Sequence, residues 1–310
     1  MDNAIQTQLR RSWSEIISTL IDCGREAEAH SCAKQAVELG IWRYPLQRPT
    51  HYMPELTARP VHDPTQFWFT GFLEKNYESI KREVVAACGQ DGGVGFRPYD
   101  GRLIDRGRWE QIVLYEKGAM VARACDMFPI TSSVVSTISE ASSLGMTSLS
   151  IVYPGTHIVP HCGPTNARLR VHLCISVADG AYLEIGGEKL HWTEGKCIVF
   201  DDSFEHQVWH RGQFPRIVMI FDVWHPDLSP EDIGTLSEEM SVEDSIRSFM
   251  QEKGLRRIES DESGKTIRFY PDDQTNKAIL RHMWEQGVCE VELRAGRLYY
   301  KKTDLQSRES

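Results

Sequence analysis

The chain has 310 residues, 41% hydrophobic and 25% charged, enough for a substantial core in one large domain or two smaller ones. A net charge of -9 argues against a general nucleic-acid surface, and no apolar run approaches the ~18 residues of a membrane span. The eight cysteines form no CxxC pair, and the polar N-terminus lacks a signal-peptide apolar run. They read as reduced thiols of a cytoplasmic protein.

In chain order, residues 5–40 carry apolar residues at helical spacing broken at Gly24, which predicts two helices. Five prolines between 41 and 65 predict an extended covering segment. A helix is expected from Gln66 to Ala87, a loop at 91–95, and one helix from Pro129 to about Leu144, where Gly145 is a stop. From Met146 the period changes. TSLSIVY, ARLRVHLCISV, AYLEIGG, KCIVFDD and FPRIVMIFDVW are short β-rich segments at even spacing, as in an antiparallel sandwich or barrel. Beyond Pro226, Ser229-Pro230 with Glu231 and Asp232 opens a helix, and SVEDSIRSFMQEKG predicts another, from Ser241 to Gly254. A hairpin about DESG, a helix near 273–286 and a closing hairpin complete an α+β appendage over 228–303, with a disordered tail at 304–310. The domains expected are therefore an N-terminal segment (1–60) packing on the core, a β domain (61–227), the appendage and the tail.

In ARLRVHLCISV the residues Arg168, Arg170, His172, Cys174 and Ser176 share one face, and apolar residues share the other. Two readings stand: a strand with its polar face in water, or a barrel wall turned inward onto a charged ligand. In RIVMIFDVW, Arg216 shares its face with Val218 and Ile220, which suggests a guanidinium paired with an anion inside the fold. His161 and His206 are the metal candidates. Two His plus a carboxylate make the facial triad of non-haem Fe(II) oxygenases, with the carboxylate two residues after the first His. The second His stands 45 residues on, but the carboxylate position is Gly163. Isolated loop or packing histidines are the competing reading. His157/His161 and His206/His210 have the i,i+4 spacing of helical ligand pairs, but neither stretch reads as helical.

The stretches YPGTHIVPHCGPTNARLRVHL, EGKCIVFDDSFEHQVWH and VWHP resemble the aspartyl/asparaginyl β-hydroxylases, which are Fe(II)- and 2-oxoglutarate-dependent oxygenases. Weaker resemblance runs through AVELGIWRYPLQRPTHY, ARPVHDP, LEKNYESIKRE and RWEQIVLYEKG, so that roughly residues 30 to 230 are covered. The resemblance implies a double-stranded β-helix (a cupin-like jelly roll) with N-terminal helices. It implies iron held by His161 and His206 alone, with Gly163 leaving the third facial position open to water. Ser150, Arg170, His172 and Arg216 then map to 2-oxoglutarate contacts, with Arg216 on the distal carboxylate. Trp109 and Gln111 map near the substrate. Asp201 or Asp202 would hold the water, unless the pair is a simple turn.

The implied reaction uses Fe(II), 2-oxoglutarate and O2 to hydroxylate an Asp- or Asn-like side chain or an amino-acid-derived small molecule, releasing succinate. Oxidative cyclisation or desaturation by a natural-product tailoring oxygenase is the alternative. A halogenase using the open iron position and a cupin-like binding protein without turnover rank lower. The best-known animal members carry a membrane anchor and act on EGF-like domains. With no anchor or signal in this sequence, a small-molecule or peptidyl amino-acid substrate is expected instead, with no nucleic-acid or membrane partner.

Overall fold

A computed structural model describes residues 3–88, 95–99, 101, 103–177 and 179–237, and four strands between 258 and 302. The chain divides into two compact units, one of residues 10–227 and one of residues 1–9 with 228–310.

The larger unit is built on two antiparallel sheets facing each other. The major sheet runs β1 (Val61–His62), β11 (Cys197–Phe200), β8 (Arg168–Ser176), β13 (Arg216–Trp224), β6 (Met146–Val152), β4 (Trp109–Glu116) and β2 (Arg97–Pro98), with β5 (Ala119–Met120) on β4. The minor sheet runs β10 (Glu188–Leu190), β9 (Ala181–Ile185), β12 (His206–His210), β7 (His157–His161) and β3 (Ile104–Arg106). Apart from the hairpins β9–β10 and β4–β5, neighbours in each sheet are separated in sequence by other strands or helices, the winding of a double-stranded β-helix or jelly roll.

Alternation along the central strands sets which residues face which layer. Leu169, Val171, Leu173 and Ile175 of β8, with Met219 and Phe221 of β13, pack outward against Phe69, Leu73, Ile80 and Val84 of helix α3 (Trp68–Cys88). The opposite faces supply Cys174, Val218 and Val152 to a core shared with Leu183, Ile185 and Val208 of the minor sheet. The polar face of β8 therefore lines the interior between the sheets, which decides between the two readings of that strand.

Helices α1 (Asn3–Asp22) and α2 (Glu26–Glu38) turn at Gly24 (φ +71°), as the spacing predicts. Ile17, Ala29, Ala33 and Ala36 bury against Ile41 and Trp42. The Pro-rich segment covers the barrel: Gln47 bridges Phe204 and His51 bridges Thr165. The single helix expected from Pro129 is instead two, α5 (Pro129–Ser136) and α6 (Ser139–Ser143), preceded by an unanticipated α4 (Ala122–Met127). Between α5 and α6, Ile138 is extended (φ -98°, ψ 106°) and fully buried. Serine and β-branched residues hold this run in a helix only weakly, and burying Ile138 breaks it.

The second unit opens a helix at 230, where the Ser229 hydroxyl accepts from Asp232 N–H and donates to its carboxylate. Its four-stranded antiparallel sheet has the order β14 (Ile258–Ser260), β15 (Thr266–Phe269), β17 (Arg297–Lys302), β16 (Cys289–Arg294). Both expected hairpins, β14–β15 and β16–β17, are present. The loop at 91–94, the helices expected at 241–254 and 273–286 and the tail at 304–310 lie outside the described residues. No helix among the described residues is long and apolar enough to cross a membrane.

Candidate active site

The site is assembled across the two sheets. His161 ends β7 and His206 begins β12, and the antiparallel register pairs them directly. Their rings stand 4.1 Å apart, tilted by 51°. HIVPH and HQVWH are strands, so the i,i+4 partners His157 and His210 take no part in the pair. His157 stacks on Trp209 at 3.7 Å, and His210 bonds the Phe214 carbonyl.

Each imidazole is oriented in the same way. Nδ1–H of His161 donates to the Val159 carbonyl at 2.8 Å, and Nδ1–H of His206 donates to the Phe204 carbonyl at 2.9 Å. Both Nε2 lone pairs are thereby left for a metal. Burial, then the neighbouring His206, pushes His161 down to about 3; burial pushes His206 down to about 4. Both rings are neutral, the form that ligates. Among the described residues, no group of three or more His, Cys, Asp or Glu converges as a metal site. Two imidazoles are what the described residues offer.

Gly163 lies against Asp202. Its N–H donates to the Asp202 carbonyl at 2.6 Å, and a Cβ added to Gly163 would overlap the Asp202 carboxylate. A carboxylate from the turn before β12 thus fills the space that a side chain at 163 would need. The two adjacent aspartates do different jobs. Asp201 builds the turn: its Oδ1 accepts from Ser203 N–H at 3.0 Å and its Oδ2 from the Gln47 amide at 2.9 Å. Burial pushes Asp201 up to about 7. Asp202 instead pairs with Arg170 at 2.9 Å. Burial raises its pKa and the Arg170 guanidinium opposes the rise.

The two arginines also differ. Arg170 donates through Nε and Nη2 to both oxygens of Asp222 (3.0 and 3.3 Å) while holding Asp202 through Nη1. With Arg168 3.7 Å from Asp222, two cations meet two carboxylates. This leaves Arg170 one N–H on each Nη, so any hold on an anion is shared with its own ion pairs. Arg216 is 2% exposed and has no carboxylate partner among the described residues. Its Nη2 donates weakly to Ser150 Oγ at 3.4 Å, its Nε–H is buried without a partner, and burial pushes its pKa down to about 10. An unpaired buried guanidinium is a site for an anion.

Ser150 also accepts from Trp109 Nε1–H at 2.9 Å, so its own hydroxyl proton is free to donate. Trp109 is stacked on Tyr99 at 4.1 Å, and Gln111 lies opposite Ser150 in the β4–β6 register. His172, beside Arg170 on β8, is 5% exposed and accepts from the indole of Trp192. Periodicity gave no sign of Trp192 or of Asp222's pairing with Arg170. Trp192 lies in a loop with no repeat to read, and Asp222 looked like one polar residue in an apolar strand.

A sequence model of the family described as "Aspartyl/Asparaginyl beta-hydroxylase" matches residues 74–226. The aspartyl/asparaginyl beta-hydroxylases of mouse and human are 37% identical over 191 residues, 60% of this chain and about a quarter of theirs. Human aspartate beta-hydroxylase domain-containing protein 2 is 31% identical over 59% of this chain and 52% of its own. A 2OG-Fe(II) oxygenase-family oxidoreductase from Burkholderia pseudomallei overlays at a TM-score of 0.35 with 11% identity, over 54% of this chain and 96% of that one. The paired histidines, Gly163 and Arg216 all lie inside the matched region: residues 74–226 of this chain are similar to the aspartyl/asparaginyl β-hydroxylase family.

Proposed function

We propose that the protein is an Fe(II)- and 2-oxoglutarate-dependent dioxygenase. Its substrate is an Asp- or Asn-like side chain or an amino-acid-derived small molecule. The observation that carries this is the juxtaposition of two neutral imidazoles, each with Nε2 free, and a buried Arg216 that has no counter-ion among the described residues. That donor set fits a ferrous ion, and the orphan guanidinium fits a dicarboxylate. The chemistry such a centre supplies is oxidation of an unactivated C–H bond coupled to decarboxylation of 2-oxoglutarate to succinate.

The residues of the chain would bind and orient. His161 and His206 hold the metal. Asp202, fixed by Arg170, offers an acceptor beside Gly163 for a water in place of a protein carboxylate. Arg216 and the Ser150 hydroxyl take the distal carboxylate of 2-oxoglutarate. His172 and the remaining Arg170 protons reach its other end. Trp109 holds the Ser150 hydroxyl and Trp192 lies beneath Arg216, so both anion-binding groups are fixed before the cosubstrate arrives.

The test is succinate formation from 2-oxoglutarate with Fe(II) and O2, alongside a panel of amino-acid and peptide substrates monitored by mass for the gain of one oxygen atom. His161→Ala and His206→Ala should reduce succinate to background. Arg216→Ala should raise KM for 2-oxoglutarate at least about tenfold, as expected on losing a charged hydrogen-bond partner. Wild-type succinate no higher than in the histidine variants would sink the enzyme reading. An unchanged KM would remove Arg216 from the cosubstrate pocket.

A further inference from the structure

We propose that Trp192 is a positioning residue that sets which proton His172 presents to the interior, and so makes that wall of the pocket a donor to an anion. The proposal rests on the reading of the pocket as a 2-oxoglutarate site. Trp192 Nε1–H donates to His172 Nδ1 at 3.3 Å, with the two rings nearly parallel (17°). An indole nitrogen can only donate, so Nδ1 must be the unprotonated nitrogen and Nε2 must carry the ring proton of the neutral imidazole. The edge of Phe200 packs on the same ring at 4.9 Å and fixes its plane. Burial, followed by Arg216 and Arg170, keeps His172 neutral.

The same indole does a second job. The guanidinium carbon of Arg216 lies 4.5 Å from the Trp192 ring centroid, so the cation rests on the aromatic face. One side chain thus holds both the orphan cation and the neutral donor. The pocket wall then offers His172 Nε2–H, Ser150 O–H and Arg216 Nε–H. In the other tautomer His172 would turn a lone pair toward the anion. No periodicity marks Trp192, which lies between β10 and β11.

Trp192→Phe keeps an aromatic face under Arg216 and deletes the N–H. Two measurements decide the matter. Nitrogen-15 NMR of histidine-labelled, metal-free protein should show His172 protonated at Nε2 in the wild type and a mixture of tautomers in Trp192→Phe. Calorimetric titration of 2-oxoglutarate into the Mn(II)-loaded protein, which does not turn over, should show about tenfold weaker binding in Trp192→Phe, the effect of one hydrogen bond to a charged group. In a His172→Gln background the same Trp192→Phe change should alter binding by less than about twofold, because the route through His172 is gone. A merely structural tryptophan would weaken binding equally in both backgrounds, and that result overturns the proposal. Nδ1 protonation of His172 in the wild type overturns it too. If the wild type binds no 2-oxoglutarate, the cosubstrate reading fails, while the tautomer measurement still decides whether Trp192 sets His172.

Discussion

A buried guanidinium without a carboxylate costs stability, and Arg216 is kept in that condition. It contacts a hydroxyl and an aromatic face, neither of which carries a formal charge. Arg170, in the same interior, is matched by Asp202 and Asp222 and makes no such demand. Arg216→Met keeps much of the side chain's length and removes the unpaired cation. Without ligand, this variant should be more stable than the wild type by about 1–3 kcal/mol, because an uncompensated charge no longer has to be desolvated. Saturating 2-oxoglutarate should raise the wild-type melting temperature by clearly more than that of Arg216→Met. Paired thermal melts with and without 2-oxoglutarate check both halves. A variant less stable than the wild type would show that the Trp192 face and Ser150 already compensate the charge. The residues of the site were unequally legible. Arg216 stood out in the sequence because a cation on an apolar strand face is costly. Asp201 and Asp202 were indistinguishable there, since only the three-dimensional turn sends one carboxylate to Gln47 and the other to Arg170.

At the level of elements, strict alternation made β8 and β13 readable, because a period of two has one explanation when both faces are buried differently. The helix pair α1–α2 was readable for the same reason at a period near four. Strands β4, β7 and β12 were not assigned from pattern. β7 contains Pro160, and β12 is five residues of mixed polarity whose pairing is set by partners far along the chain. Strand β1 was also silent: two residues, Val61 and His62, that extend the major sheet beside β11. His62 is 5% exposed, its Nε2 has no partner, and its ring meets that of His225 at 5.5 Å. Burial, followed by His225 and Arg59, pushes His62 down to about 4, with Asp227 pulling weakly the other way. The sign follows from proton uptake. The unfolded chain protonates this group near its ordinary value of about 6.5, whereas the native chain does so only near 4. Between those values the unfolded state binds more protons, so stability falls as pH drops, by about 3 kcal/mol for this residue. Urea denaturation of metal-free protein at pH 7 and pH 4.5 should show a smaller loss for His62→Phe than for the wild type (about 2–3 kcal/mol smaller). Equal losses would mean that His62 is not neutral in the native state.

At the scale of the molecule, three independent boundaries coincide. The family match ends at residue 226, the larger compact unit at Asp227, and the last strand of the jelly roll at Trp224. The apolar clusters of the α1–α2 pair, of the helix-covered sheet face and of the barrel interior are all made of residues between 13 and 223. Every residue placed at the site, from Gln47 behind Asp201 to Asp222 behind Arg170, also lies in that span. A domain with its own core has what it needs to fold alone. Residues 3–227, which keep α1 whole, should therefore express as a folded protein with a single cooperative thermal transition. That fragment should bind 2-oxoglutarate in the presence of Mn(II) within about twofold of the full chain, since it contains every residue placed at the site. Calorimetry on the two proteins side by side gives the comparison. A folded fragment with much weaker binding would mean that residues 228–310 contribute to the site. A fragment that fails to fold would mean that the larger unit depends on them for stability.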